Sequence, residues 1–148
     1  MITDAFLLLS SAQAVTASAV STNAIDTSII GRDLGAGQDL HVHFSVDVSA
    51  VAAGAATVQF QIITSSNPAM TSPVVLATTD AIGKAELTAG RRPISLTIPQ
   101  HRIAPSDRYL AVQYVVATGP LSSGTFSAVI SEARADAGKL YTRGFSIA

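Results

Sequence analysis

Alternating apolar and polar residues are the strongest pattern in this chain. Residues 40–48 alternate without a break, which is typical of a β-strand with one face against a core. The even-numbered residues are predicted to face that core and the odd-numbered ones to face solvent. The inward set is Leu40, Val42, Phe44, Val46 and Val48, and the outward set is His41, His43, Ser45 and Asp47. Residues 57–62 and 93–98 repeat the pattern and predict two more strands.

Other segments complete an all-β pattern. Richer apolar content predicts more central strands at 109–116 and 125–130, and weaker patterns predict strands near 6–9, 14–20, 74–77 and 84–87. The alanine-rich segment 50–56 is the one helical candidate, but its brevity and Gly54 favour a loop. Turn residues cluster at 31–37, 65–68, 88–90, 105–107 and 119–124. This spacing predicts a single-domain antiparallel β-sandwich or barrel.

Composition adds a statement about the surface. Only 13% of the 148 residues are charged, about half of the usual ~25%, and the net charge is −1. A chain of this kind lacks the basic footprint of nucleic-acid binding, so no nucleic-acid partner is predicted. With 48% hydrophobic residues, and with 25 Ala, 17 Ser and 14 Thr, the composition indicates a surface that partners cover closely. The absence of cysteine excludes disulfides and thiolate metal sites and fits a reducing cytoplasm.

The N-terminus carries an apolar run that looks like a signal peptide. Residues 6–9 are apolar, and an A-x-A site follows at 12–14. Asp4 stands where a signal peptide has a basic residue, and the run is short, so we predict no cleaved signal. No segment approaches the ~20 apolar residues of a membrane span, so no membrane partner is predicted.

Two histidines are the main candidates for metal chemistry. His41 and His43 are two apart on a predicted strand, so both imidazoles point to one face. They could bind a divalent metal if His101 or Asp47 supplied a third ligand. No metal-binding sequence frame supports that, and two polar residues on the outer face of a half-buried strand are the simpler interpretation. We predict no metal site.

Catalytic motifs are missing from the sequence. It contains no G-x-S-x-G nucleophile turn, and no predicted helix follows the glycines at 35 and 37, as a dinucleotide site requires. The carboxylates are scattered, mostly in turns, although a glycosidase pair can assemble from distant residues. The absence of Trp removes the usual sugar platform. We therefore predict no catalytic residue, no cofactor and no enzyme activity, with a β-sandwich hydrolase or carbohydrate-binding module as the alternative of another class.

Two charged regions have an interface interpretation. Arg91 and Arg92 lie on a turn before a strand, where they are either solvated or docked on an acidic patch of a partner. From Glu132 onward charge increases and Gly138 and Gly144 break any period. We predict a β-sandwich domain over 1–131 with an N-terminal contact segment. Residues 132–148 are then a loose edge strand or an arm that orders against a neighbouring subunit.

Five segments in a fixed order carry a resemblance to a known family. They are FLLLSSAQAVT at 6–16, STNAID at 21–26, GRDLGAG at 31–37, AAGAAT at 52–57 and ATGPLSSG at 117–124. With them the chain resembles the capsid cement, or decoration, proteins of tailed bacteriophages typified by the Bordetella phage cement protein. The resemblance covers most of the chain to about residue 130, and its specificity lies in the ordered combination of segments.

The resemblance implies a structural virion protein. It implies a jelly-roll β-sandwich, made in the host cytoplasm, that binds the outside of an icosahedral head. There it would bridge neighbouring copies of the major capsid protein and stabilise the shell. It also implies self-association, with a homodimer expected and a trimer as the alternative. The other functional hypothesis in this class is a head–tail or tail component.

The predicted contacts with the capsid or with a second copy fall in four places: the N-terminal segment, the glycine-rich loop, the arginine turn and the C-terminal tail. They are Ile2, Phe6, Leu7, Leu8, Gln13, Arg32, Asp33, Leu34, Arg91, Arg92, Tyr141, Arg143 and Phe145.

Overall fold

A computed structural model of the chain describes residues 5–28 and 39–132, and within these ranges ten strands form two antiparallel sheets. The strands are β1 Leu8–Ala14, β2 Ala19–Val20, β3 Ile25–Asp26, β4 His41–Val51, β5 Thr57–Ser65, β6 Val74–Thr78, β7 Ile82–Gly83, β8 Ile94–Thr97, β9 Tyr109–Ala117 and β10 Ser123–Ser131. Three single 3₁₀ turns accompany them, at Ala5–Leu7, Lys84–Glu86 and Gln100–Arg102. None of the helical segments in these ranges is long and apolar enough to cross a membrane.

The strand order is that of a jelly roll. The first sheet has the order β1-β10-β4-β8, and the second has β2-β9-β5-β6, with β3 also on β9 and β7 also on β5. β1 pairs with β10 and β2 with β9, while the consecutive strands β4 and β5 occupy matching positions in opposite sheets. This is the double Greek-key arrangement of an eight-stranded jelly roll, in which β2 and β3 share one position beside β9, and β6 and β7 share one beside β5. The predicted fold class is confirmed.

The core lies between the sheets and is centred on four aromatic rings. Phe44 and Phe126 come from the first sheet, and Phe60 and Tyr114 come from the second. Their ring centroids lie 5.0 Å apart for Phe44–Phe60 and 5.6 Å apart for Tyr114–Phe126. Such pairs stabilise a core by about 0.5–1.5 kcal/mol beyond their area burial. Ser10 and Tyr114 join the two sheets through a buried hydrogen bond between their hydroxyl groups.

The prediction for residues 40–48 is partly wrong. Val42, Phe44 and Val46 are buried as predicted, but Val48 is 48% exposed. Val46 pairs with Phe126 and Val48 with Thr125, so one extra residue, Asp47, interrupts the register. This β-bulge places both Asp47 and Val48 on the outer face.

The predicted solvent exposure of two histidines is also wrong. His41 and His43 do lie on the outer face, but they are only 6% and 3% exposed. β4 is an inner strand, so residues of β10 and β8 flank both rings, and two hydroxyl groups of β8 hydrogen-bond to their Nδ1 atoms.

Most of the other strand predictions agree with the structure. β9 and β10 are inner strands of their sheets, as their apolar content predicted, and residues 52–56 form a loop. Residues 84–86 form a 3₁₀ turn instead of the predicted strand. Of the strand predicted at 14–20, Ala14 is the last residue of β1 and Ala19–Val20 form β2, while the residues between them are not in a strand. β10 ends at Ser131, and the predicted boundary between the sandwich and the C-terminal arm stays a prediction. The predicted C-terminal arm, except Glu132, lies outside the described residues and stays a prediction.

Candidate functional site: the N-terminal turn and the outer faces

An exposed aromatic side chain stands at the N-terminal side of β1. Phe6 belongs to the 3₁₀ turn Ala5–Leu7 and is 70% exposed, whereas Leu7 next to it packs against the main core. Burial of Leu7 therefore fixes the turn from which Phe6 projects. Exposure of most of an aromatic side chain costs hydrophobic free energy, and burial against another surface would recover it.

The free edge of β1 is sealed by the segment that follows it. Asn23 donates from its backbone N–H to the Leu9 carbonyl at 2.9 Å and from its side-chain amide to the Leu8 carbonyl at 3.1 Å. Gln13 donates from its side-chain Nε2 to the Val20 carbonyl and accepts the Thr22 N–H at Oε1. Gln13, a predicted contact residue, therefore uses its amide inside the fold. A further strand cannot add at these positions, because their hydrogen-bonding groups are occupied.

A shallow depression of about 320 Å³ lies beside Phe6. It is lined by Ala5, Phe6, Leu8, Thr22, Asn23, Ala24 and Ile25. Two of the predicted contact residues, Phe6 and Leu8, therefore lie next to residues 22–25, which were not predicted as contacts. The resulting surface combines a projecting ring with an adjacent hollow, which suits a side chain or loop of another protein.

An ion pair anchors the chain where β3 ends. Arg108 donates from Nε to Asp26 Oδ1 at 3.1 Å and from Nη2 to Oδ2 at 2.5 Å. Asp26 Oδ1 also accepts the Ser28 backbone N–H and hydroxyl. The hydrogen bonds from Arg108, and then those from Ser28, hold the pKa of the Asp26 carboxyl well below its usual range. Thr27 adds two hydrogen bonds to the Arg108 carbonyl.

The arginine turn lies elsewhere on the fold. Arg91 donates from Nη1 to the Glu86 carbonyl at 2.8 Å, and the Gly90 N–H binds the Val46 carbonyl of β4. Arg91 is half-buried and Arg92 is exposed. The predicted contacts Ile2, Arg32, Asp33, Leu34, Tyr141, Arg143 and Phe145 lie outside the described residues.

The histidine pair takes part in hydrogen bonds with hydroxyl groups. His41 Nδ1 lies 3.1 Å from Thr97 Oγ1, and His43 Nδ1 lies 2.8 Å from Ser95 Oγ. The two ring centroids are 6.2 Å apart. Within residues 5–28 and 39–132, no group of three or more His, Cys, Asp or Glu side chains is placed to hold a metal ion.

The outer face of the second sheet was not predicted as a site. Gln59, Gln61 and Gln113 are half-buried on this face, and their side-chain amides make no hydrogen bond to the described part of the chain. The alternating pattern of β5 predicted that Gln59 and Gln61 face outward, so the sequence could have indicated them. Gln113 of β9 lies beside Gln61 only because the two strands pair, which the sequence pattern does not show.

One family of proteins matches this chain. A family model, Bbp16, matches residues 9–130, which include all ten strands apart from the first residue of β1 and the last of β10. Among curated proteins none matches. The matched range covers the five segments that carry the phage resemblance, except for the start of the first, and the family name points to a Bordetella phage. The chain therefore belongs to the Bbp16 family of bacteriophage proteins.

Proposed function

We propose that this protein is a capsid cement protein that binds the outside of an icosahedral phage head. In this proposal it bridges neighbouring copies of the major capsid protein and has no enzymatic role. The observation that carries it is Phe6, a 70% exposed residue that lies beside a surface depression just before β1 of the jelly roll. Membership of a phage family supports the same conclusion. A shell repeats each contact many times, so contacts that are weak singly hold by avidity.

The exposed ring is the part of the surface to test. Removing residues 1–16 would also remove β1, whose Leu9 and Ser10 are fully buried, and would therefore unfold the first sheet. Phe6→Ala removes the ring and leaves the strand. Val51→Ala is the matched control, because Val51 is also a half-exposed apolar residue but lies at the end of β4.

The measurement is co-sedimentation of each variant with phage heads that lack the protein. We expect Phe6→Ala to lower the apparent affinity about tenfold or more, as a lost aromatic hot spot does, and Val51→Ala to leave it unchanged. Equal binding to heads by the parent protein, Phe6→Ala and Val51→Ala would overturn the role of Phe6. Imaging of virions distinguishes a cement protein from a head–tail or tail component. A protein found only at the head–tail junction or in the tail would contradict the cement role.

A further inference from the structure

Burial changes along the outer face of β4. His41 and His43 are 6% and 3% exposed, Ser45 is half-buried, and both Asp47 and Val48 are exposed. All five lie on the outer face of the first sheet, the side that a two-layer sandwich turns away from its core. This face is therefore closed at the end where β4 begins and open at the other end.

The strands beside the two rings do not account for this closure. On one side, Ser95 and Thr97 of β8 flank the rings, and Thr97 is itself exposed. On the other side the flanking residues are Val129 and Ser131 of β10. Side chains of this size stand beside an imidazole and are too short to lie over it. A further segment must therefore cover the rings.

The second sheet shows what flanking strands and a cover each contribute. β5 is also an inner strand, and its outward residues Gln59 and Gln61 stay half-buried, although the larger Gln113 stands beside Gln61. Ile63 on the same strand is fully buried, and there Met70 packs over it. On this sandwich, flanking strands leave an outward side chain half-buried, and a cover closes the face.

The C-terminal segment 133–148 begins at the closed end of the face. β10 ends at Ser131, which pairs with His41, so the chain leaves the sheet beside this ring. β4 has 11 residues, and the segment has 16. An extended chain advances about 3.3 Å per residue, so a segment of this length is long enough to turn and run back along β4.

The sequence of this segment contains large side chains that the flanking strands lack. Tyr141 and Phe145 are its two aromatic residues. Such rings bury a large area and stack on other planar groups. Residues 29–38, which also precede β4 closely in the chain, contain three glycines and no aromatic residue. The C-terminal segment is therefore the better cover for two imidazole rings.

We propose that the C-terminal segment is a strap of its own chain, which lies over His41 and His43 and packs Tyr141 and Phe145 on the two rings. The rings are buried within a single copy, so their cover belongs to that copy. The proposal does not rest on the capsid role. It assigns two predicted capsid or self contacts to the fold of their own chain, and it leaves the end around Asp47 as the open part of this face.

Chemical modification of the histidines tests the strap in the full-length protein. Diethyl pyrocarbonate carbethoxylates accessible imidazoles, and peptide mass spectrometry gives a rate for each histidine. His101 is exposed and is the internal reference. In the parent protein we expect His41 and His43 to react at least about tenfold more slowly than His101, because their reaction requires local opening of the strap.

Two pairs of substitutions separate a docked strap from a free tail. Tyr141→Asp with Phe145→Asp places charge in the contact and should raise the rates of the two buried histidines about tenfold, with the reference unchanged. Thr142→Asp with Ser146→Asp adds the same charge at neighbouring polar positions, so it is the matched control and should react as the parent does. Circular dichroism checks that each variant is folded.

A cross-link tests the same contact with the segment unchanged. Ser45→Lys places an amine on β4 two residues after His43, and the natural lysines of the chain are Lys84 and Lys139. A bifunctional amine cross-linker should join the introduced amine to Lys139. An equal mixture of isotopically light and heavy protein shows whether the two ends belong to one copy, as we expect. This measurement decides the question if the first pair of substitutions prevents folding.

Three outcomes would overturn the proposal. The first is a parent protein in which the two histidines react as fast as the reference. The second is protection that survives Tyr141→Asp with Phe145→Asp, which would place another segment over the rings. The third is a cross-link to Lys139 that joins light and heavy copies, because the segment would then be an arm that docks on a neighbouring subunit.

Discussion

The polar residues at the centres of the two outer faces differ in their hydrogen bonding, although the second face also carries the Asp26–Arg108 ion pair on β3. On the first sheet, Ser127 accepts the Ala12 N–H at 2.8 Å and donates to Asp47 Oδ2 at 2.6 Å, which links three strands across the face. His41 and His43 are likewise joined to hydroxyl groups of β8. On the second sheet, the amides of Gln59, Gln61 and Gln113 make no such links within the described ranges.

The difference separates polar residues that hold a fold from polar residues that are available to a partner. A hydrogen bond within the fold contributes net stability of about 0.5–1.5 kcal/mol, and it leaves fewer groups free for binding. An amide that makes no hydrogen bond within the fold contributes little to folding. The polar residues of the first face should therefore affect unfolding more than the amides of the second.

The largest expected effect is at the apolar end of the second face. Ile63 is fully buried under Met70, so Ile63→Ala should lower the free energy of unfolding by about 2–5 kcal/mol. Val48→Ala is the control on the first face, where the bulge leaves that side chain half-exposed, and it should change stability by less than about 0.5 kcal/mol. Urea unfolding monitored by circular dichroism measures both. Equal losses would mean that the second cluster is not a true part of the core.

A smaller effect is expected between the two sheets, at Tyr114. Tyr114→Phe leaves the fully buried Ser10 hydroxyl without its partner and should cost about 1–3 kcal/mol. Ser10→Ala combined with Tyr114→Phe should cost less than the two single changes together. Denaturant titration of all three variants is the test, and strict additivity would contradict the coupling.

The same residue predicts a loss of stability at alkaline pH. Burial raises the pKa of Tyr114 to about 12, above its usual value near 10. The folded state therefore holds the proton more tightly, and this stabilisation is present below pH 10 and is lost as the pH rises from 10 towards 12. Between pH 8 and pH 11, the midpoint of thermal unfolding should decrease less for Tyr114→Phe than for the parent protein. Identical decreases would contradict a role for the ionisation of Tyr114.

The smallest effect should distinguish the faces most directly. Ser127→Ala removes the link between Ala12 and Asp47 and should cost about 1 kcal/mol. Gln61→Ala should stay within about 0.5 kcal/mol, because its amide stabilises nothing in the described fold. Thermal unfolding of the two variants side by side measures the difference. A larger loss for Gln61→Ala would reverse the roles assigned to the two faces.

The candidate site was partly predictable from the sequence. The apolar N-terminal run predicted a contact segment, which stays a prediction, and the structure leaves Phe6 of that run 70% exposed. Periodicity did not separate Phe6, which projects outward, from Leu7, which packs inward, because a 3₁₀ turn has neither the period of a strand nor that of an α-helix. Gln13 was placed among the contacts as part of the N-terminal segment, although its amide closes a sheet edge.

Local pattern determined the strands of this protein, and tertiary structure determined what their faces do. Alternation with a period of two is a property of consecutive residues, so the sequence alone was sufficient to predict β4, β5, β8, β9 and β10 and the sandwich they form. Whether an outward residue is exposed depends on residues far along the chain. The bulge at Asp47, the burial of His41 and His43, and the cover that Met70 lays over Ile63 all arise from pairings or packing absent from the local pattern.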